Sequence, residues 1–190
     1  MRNYQVNQER LRGQLPEGAF TIGRDVVTPL DCPDSDLADH DNATWIVEQI
    51  QKVHTEPRFL ALGLRKPHPF FEVLRRFFEM YPIDKIELPK VNDHDRDDLP
   101  KGGLKRAGST EEHDSIVSAG KWREMVQAYL ACITFTDTQL GRVLDALDNS
   151  PDRDNTIIVL WSDHGWHLGE KQHWHNSHCG KNRREHRCCG

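Results

Sequence analysis

The sequence predicts an α/β fold, a mostly parallel sheet flanked by helices. Three observations lead there. Residues 59–64 (FLALGL) and 157–161 (IIVLW) are short, unbroken apolar runs, and such runs read as strands buried on both faces. A long amphipathic pattern over residues 121–147 precedes the second run, which is the helix-then-strand half of a βαβ unit. Both runs also end in polar, chemistry-bearing residues: Arg65, Lys66, Pro67 and His68 after the first, Asp163, His164 and Gly165 after the second. Open α/β sheets bind ligands just past the carboxyl ends of their strands, so the pattern predicts two parallel strands that deliver these residues to one rim.

Composition bounds the function classes. The 190 residues suit one domain or part of a larger one, and 36% hydrophobic content with a mean hydropathy of -0.73 leaves a thin core. A net charge of -5 offers no nucleic-acid signature. No apolar run is long enough to span a membrane. Residues 1–12 are polar and carry no signal-peptide core. The five cysteines do not suggest a disulfide framework, because Cys179, Cys188 and Cys189 crowd the last residues while Cys32 and Cys132 lie apart. Nothing in the sequence speaks to oligomeric state.

Taken in order, residues 1–42 read as irregular, punctuated by glycine and proline. Asp41 or Asn42 caps a helix over 43–54, with Trp45, Ile46, Ile50 and Val53 on one face. Pro57 ends it and the first predicted strand follows. Residues 72–81 carry Val73, Leu74, Phe77, Phe78 and Tyr81 at helical spacing, and Pro82 stops that helix. Residues 84–118 form a polar insertion in which His94 and His113 read as solvated. Its acidic cluster, Asp93, Asp95, Asp97 and Asp98, lacks the central glycine and closing glutamate of a calcium loop. The long helix then presents Trp122, Met125, Tyr129, Ile133, Leu140 and Leu144 on a broad apolar stripe.

The segment after the second apolar run is Ser-Asp-His-Gly-Trp-His-Leu-Gly-Glu-Lys-Gln-His-Trp, residues 162–174. It resembles the second metal-binding segment of the formylglycine-dependent sulfatases, most of all the iduronate-2-sulfatase-like branch. Lys66-Pro67-His68 followed by Pro69-Phe70 resembles that family's Lys-Pro-His-x-Pro-Phe, one residue shorter. The resemblance covers roughly residues 24–174. It implies an alkaline-phosphatase-like sulfatase domain, residues 1–174 being its central part without the nucleophile segment. It also implies hydrolysis of sulfate esters of a sugar or similar substrate. By the same resemblance Asp163 and His164 bind calcium, His68 contacts the sulfate and can donate a proton, and Lys66 is a lesser contributor. The family is usually exported to the periplasm, the lysosome or the medium.

Departures from the pattern set further expectations. The family's nucleophile motif is Cys/Ser-x-Pro-x-Arg, whereas Cys32 abuts Pro33 and no arginine follows. Cys32 is therefore read as an ordinary loop or core cysteine. With the formylglycine nucleophile and part of the Ca2+ site missing, the chain alone is expected to be inactive. After Trp174 the resemblance stops. Zinc binding by the histidines and cysteines of residues 175–190 is the lesser reading, since their spacing is poor. One set of synonymous codons for Asn176 onward, read from its third base, gives Leu-Thr-Leu-Trp-Glu-Glu-Ser-Thr-Arg-Ala-Pro. That is similar to the family's continuation, which follows a lysine, so residues 175–190 are read as out-of-frame translation. Two alternatives stay open: a phosphoryl-transfer enzyme of the alkaline-phosphatase-like superfamily, which uses paired zinc ions, and a truncated product without catalytic activity.

Overall fold

A computed structural model describes residues 16–92, 94, 96–107 and 110–176. Asp93, Asp95 and the cysteines at 179, 188 and 189 lie outside the described residues, and so do the two readings of the tail beyond Asn176. The chain divides into two compact units, one of residues 1–84 with 127–158 and one of residues 85–126 with 159–190. Each is described by itself. No helix among the described residues is long and apolar enough to cross a membrane.

The first unit is built on a three-stranded sheet. Strands β1 (Phe20–Ile22) and β2 (Asp25–Leu30) form an antiparallel hairpin, and β3 (Phe71–Leu74) joins β2 in parallel, with Val27 opposite Phe71 and Leu30 opposite Leu74. A parallel neighbour needs a crossover, and helix α1 (Ala38–Ile50) lies within it. Pro29 sits beyond the last residue paired with β1, so its missing N–H costs that ladder nothing. Helix α2 (Arg75–Glu79) follows β3 directly. Val27, Phe71, Val73, Ala43, Ile46, Phe77 and Phe135 are buried together in this unit. Edge-on ring pairs join Phe71 to Tyr129 at 6.5 Å and Phe77 to Phe135 at 5.6 Å, the geometry aromatic quadrupoles favour.

Four expectations change here. Phe71–Leu74 is a strand, not the first turn of a helix, because β2 offers it a parallel partner. The irregular reading of residues 1–42 overlooked β1 and β2, and the proline within β2 weakens its strand signal. Helix α1 starts at Ala38, earlier than the expected residue 43, because Asp39 and His40 are drawn into its first turn. The runs at 59–64 and 157–161 pair with no strand among the described residues. Ile157 is 92% exposed and Trp161 74%. A strand buried on both faces needs neighbours on both sides and a layer on each face, and these runs meet neither among the described residues.

The second unit holds two short helices, α3 (Lys101–Ala107) and α4 (Glu111–Ser118), where a solvated insertion was expected. Helix α5 (Trp122–Asp148) follows, within two residues of its expected bounds, and its residues from Gln127 on belong to the first unit. A small antiparallel hairpin of β4 (His167–Leu168) and β5 (Trp174–His175) closes the described chain. Ile116, Met125, Val126 and Trp174 are buried in this unit.

Candidate functional site

The expected site residues lie on two turns, one in each unit. The first turn carries Lys66 and His68. The His68 N–H donates to the Arg65 carbonyl at 3.0 Å, which closes the turn. The His68 ring is exposed, and its Nδ1 lies 2.7 Å from the Pro69 carbonyl oxygen. A carbonyl can only accept, so Nδ1 carries the proton of this bond. Lys66 is half-buried, and its Nζ donates to the Phe70 carbonyl. Desolvation pulls the Lys66 ammonium below its ordinary pKa. Burial pushes the neighbouring Cys132 thiol up to about 12, with the Lys66 charge acting in the opposite sense.

The second turn carries Asp163 and His164. The Asp163 side chain is 83% exposed. Its Oδ1 accepts the His164 N–H at 3.0 Å, and its Oδ2 lies 3.4 Å from His164 Nε2. The Ser162 hydroxyl donates to the His164 carbonyl at 2.6 Å. His164 Nδ1 faces the Gly165 carbonyl at 3.0 Å, which places the proton there, and Nε2 accepts from Asn176 Nδ2 at 2.7 Å. The Nε2 edge of the ring therefore faces away from its own backbone, toward Asn176 and the Asp163 carboxylate.

The donor set can be tested against calcium by its chemistry. Calcium takes six to eight oxygen ligands. The solvent-facing carboxylate of Asp163 fits that demand, while the His164 nitrogen is a softer donor that fits it less well. The pair would thus hold a calcium ion as part of a larger ligand set.

Other residues of the 162–174 segment shape the hairpin that follows the turn. Gly169 takes φ +113°, and its N–H donates to the His173 carbonyl at 2.8 Å, turning β4 into β5. Glu170 reaches back to accept the Leu168 N–H at 2.7 Å. Trp122 Nε1 donates to the Leu168 carbonyl at 2.7 Å, and the His113 ring meets Trp122 edge-on at 4.9 Å. Trp174 Nε1 donates to His113 Nδ1 at 3.2 Å, and His175 Nε2 lies 2.9 Å from Glu112 Oε1. Helix α4 and the start of α5 therefore clasp the hairpin that follows the Asp-His turn. His113 is buried, against the solvated reading. Sequence reasoning missed Glu112, His113 and Trp122 as partners of this segment. The polar composition of residues 84–118 hid them, although Trp122 at the head of an amphipathic helix was a usable signal.

Comparison with known proteins bears on this arrangement. The sequence model of the family described as Sulfatase matches residues 2–187. A sulfatase of Formosa agariphila is 46% identical over 146 residues, covering 73% of this chain and 28% of its own length. Human iduronate 2-sulfatase is 32% identical over 164 residues, covering 78% of this chain and 29% of its own. A multifunctional alkaline phosphatase superfamily protein of Trinickia caryophylli is 28% identical over 171 residues, covering 82% and 32%. The chain thus spans under a third of the length of each of these relatives. With a family match across nearly all of its residues and the Asp-His turn and Lys-Pro-His turn both present, the chain belongs to the sulfatase family and carries part of that family's alkaline-phosphatase-like α/β fold.

Proposed function

We propose that this chain carries part of the catalytic domain of a sulfuric ester hydrolase similar to iduronate 2-sulfatase, acting on sulfate esters of a sugar or a similar small molecule. The observation that carries the reading is the Asp163–His164 turn. It sets an exposed carboxylate beside an imidazole, and the Trp122–Leu168–Gly169 clasp fixes the chain that follows. Asp163 and His164 would hold the calcium ion, with Asp163 as the stronger ligand. When bound, the ion would draw negative charge from the sulfate oxygens. His68 contacts the sulfate and can pass a proton to the leaving oxygen. Lys66 beside it adds positive charge to the same turn. Cys32-Pro33-Asp34 departs from the family's nucleophile motif, so no attacking group is assigned within this chain. The 190-residue chain alone is expected to show no turnover, because nucleophile and metal act as a unit.

A second reading, phosphoryl transfer by two zinc ions, draws support from the similarity to the alkaline phosphatase superfamily protein. The Lys-Pro-His turn favours sulfate. The proposal includes the out-of-frame reading of residues 175–190. Resequencing the locus around codon 176 tests it. Metal analysis and ester hydrolysis by the protein with that frame restored test the function. One calcium with sulfate esters preferred supports it; two zincs with phosphate esters preferred replaces it with the second reading.

A further inference from the structure

The buried carboxylate of Asp39 lies behind the Lys66–His68 turn and has no part in the chemistry described above. Asp39 occupies the first turn of α1 and is 3% exposed. Both of its oxygens accept the Arg65 N–H at 3.0 Å, and Oδ2 also accepts the Lys66 N–H at 2.9 Å. An ionised acceptor shared by two successive amides makes short, strong bonds and fixes the plane of both peptides. The N-terminal end of α1 favours negative charge at this place.

The same turn is held from other sides. Asn42, one helical turn further along α1, donates to the Gly63 carbonyl at 3.1 Å. Thr136 of α5 shares its hydroxyl proton between the Lys66 carbonyl at 3.1 Å and the Cys132 carbonyl at 3.0 Å. Lys66 therefore has its N–H fixed by Asp39, its carbonyl by Thr136 and its Nζ by the Phe70 carbonyl. The His68 ring is held within the same turn by its Nδ1–H, which donates to the Pro69 carbonyl at 2.7 Å. Its direction follows from the turn closed onto the Arg65 carbonyl, and Asp39 sets the orientation of that residue.

We propose that Asp39 is a positioning residue that aims His68 at the sulfate by clamping the Arg65 and Lys66 amides. The proposal rests on the reading of His68 as a sulfate contact. A carboxylate that only stabilised the fold would leave the affinity of His68 for an anion unchanged once the protein is folded. A clamp that pre-orients the ring changes that affinity, because binding must then also order the turn.

The test uses the full 190-residue chain, isotope-labelled, with inorganic sulfate as the probe. The amides of Arg65 and Lys66 and the ring protons of His68 are followed in the wild type, in Asp39→Asn and in Asp39→Glu. Amide signals from α1 and α5 verify that each variant is folded. In Asp39→Asn we expect the two amides to move upfield and lose exchange protection, and sulfate to bind His68 about tenfold more weakly. Asp39→Glu, which keeps the charge, should recover part of that affinity. Unchanged amides, or changed amides with unchanged sulfate affinity at His68, would overturn the clamp. A wild-type chain whose His68 ignores sulfate while other groups bind it would instead overturn the reading of His68 itself.

Discussion

The α-carbon of Gly169 faces the ring of Trp122 so closely that a Cβ there would stand 2.5 Å from Trp122 Cζ2 and 2.8 Å from Cε2. The glycine also sits at φ +113°, where L side chains are strained. The Leu-Gly-Glu of this segment is thus explained by packing: only glycine lets the hairpin turn lie against the indole. Gly169→Ala should destabilise the protein by roughly 1–3 kcal/mol, read as a lower urea midpoint. A variant as stable as the wild type would show that the hairpin does not rest on Trp122.

Trp122→Phe tests the same clasp from the other side. The substitution keeps an aromatic body and removes the donor to the Leu168 carbonyl. The expected cost is about 1–3 kcal/mol if that carbonyl stays unsatisfied. Because the two residues share one contact, the double variant with Gly169→Ala should cost less than the sum of the singles. Additive costs in a double-mutant cycle would place the two effects in separate parts of the structure.

Thiol chemistry reports on the interior of the first unit. Cys132 is fully buried and its thiol is pushed up to about 12, so thiolate is scarce at pH 8. Mass-mapped alkylation of the native chain should leave Cys132 unmodified while the half-buried Cys32 reacts, and denaturation should expose both. Early labelling of Cys132 in native protein would contradict the packing of α5 described here.

Acid sensitivity should trace to two surface carboxylates. The hydrogen bond from Arg75 holds Asp31 below its ordinary pKa, and the hydrogen bond from His54, helped by Arg58, does the same for Asp152. A carboxylate with a depressed folded pKa contributes stability that is fully present above its unfolded value, near 4. That stability is lost as pH falls through the lower, folded value. Urea midpoints should therefore be level on this account from pH 6 to 5 and drop below about pH 4. In Asp31→Asn and Asp152→Asn the drop should be shallower. An unaltered acid limb in both variants would show that solvent screening cancels the pairs.

Legibility in the sequence followed the range of the interactions. Helix α5 was readable because its apolar stripe repeats over seven turns and a single pattern specifies it. Helix α1 was readable in kind but not in its start, since Leu37 supplies no capping side chain to mark the boundary. Phe71–Leu74 was misread because four apolar-rich residues fit either period, and only the distant Val27–Leu30 partner decides between them. His68, Asp163 and His164 stood out through their motifs. Asp39, His113 and Trp122 did not, because their roles depend on contacts made across 26 to 61 residues of chain.

The calcium affinity of Asp163→Asn, measured in the protein with the frame restored after Trp174, tests the central claim most directly. Asp163 is the hard ligand of the proposed site, so the substitution should weaken calcium binding by at least about tenfold. Sulfate-ester hydrolysis should fall with it and recover in part when calcium is raised. If Asp163→Asn binds calcium and hydrolyses sulfate esters as the wild type does, the Asp163–His164 turn is not the metal site, and the account of this chain as part of a sulfatase centre fails there.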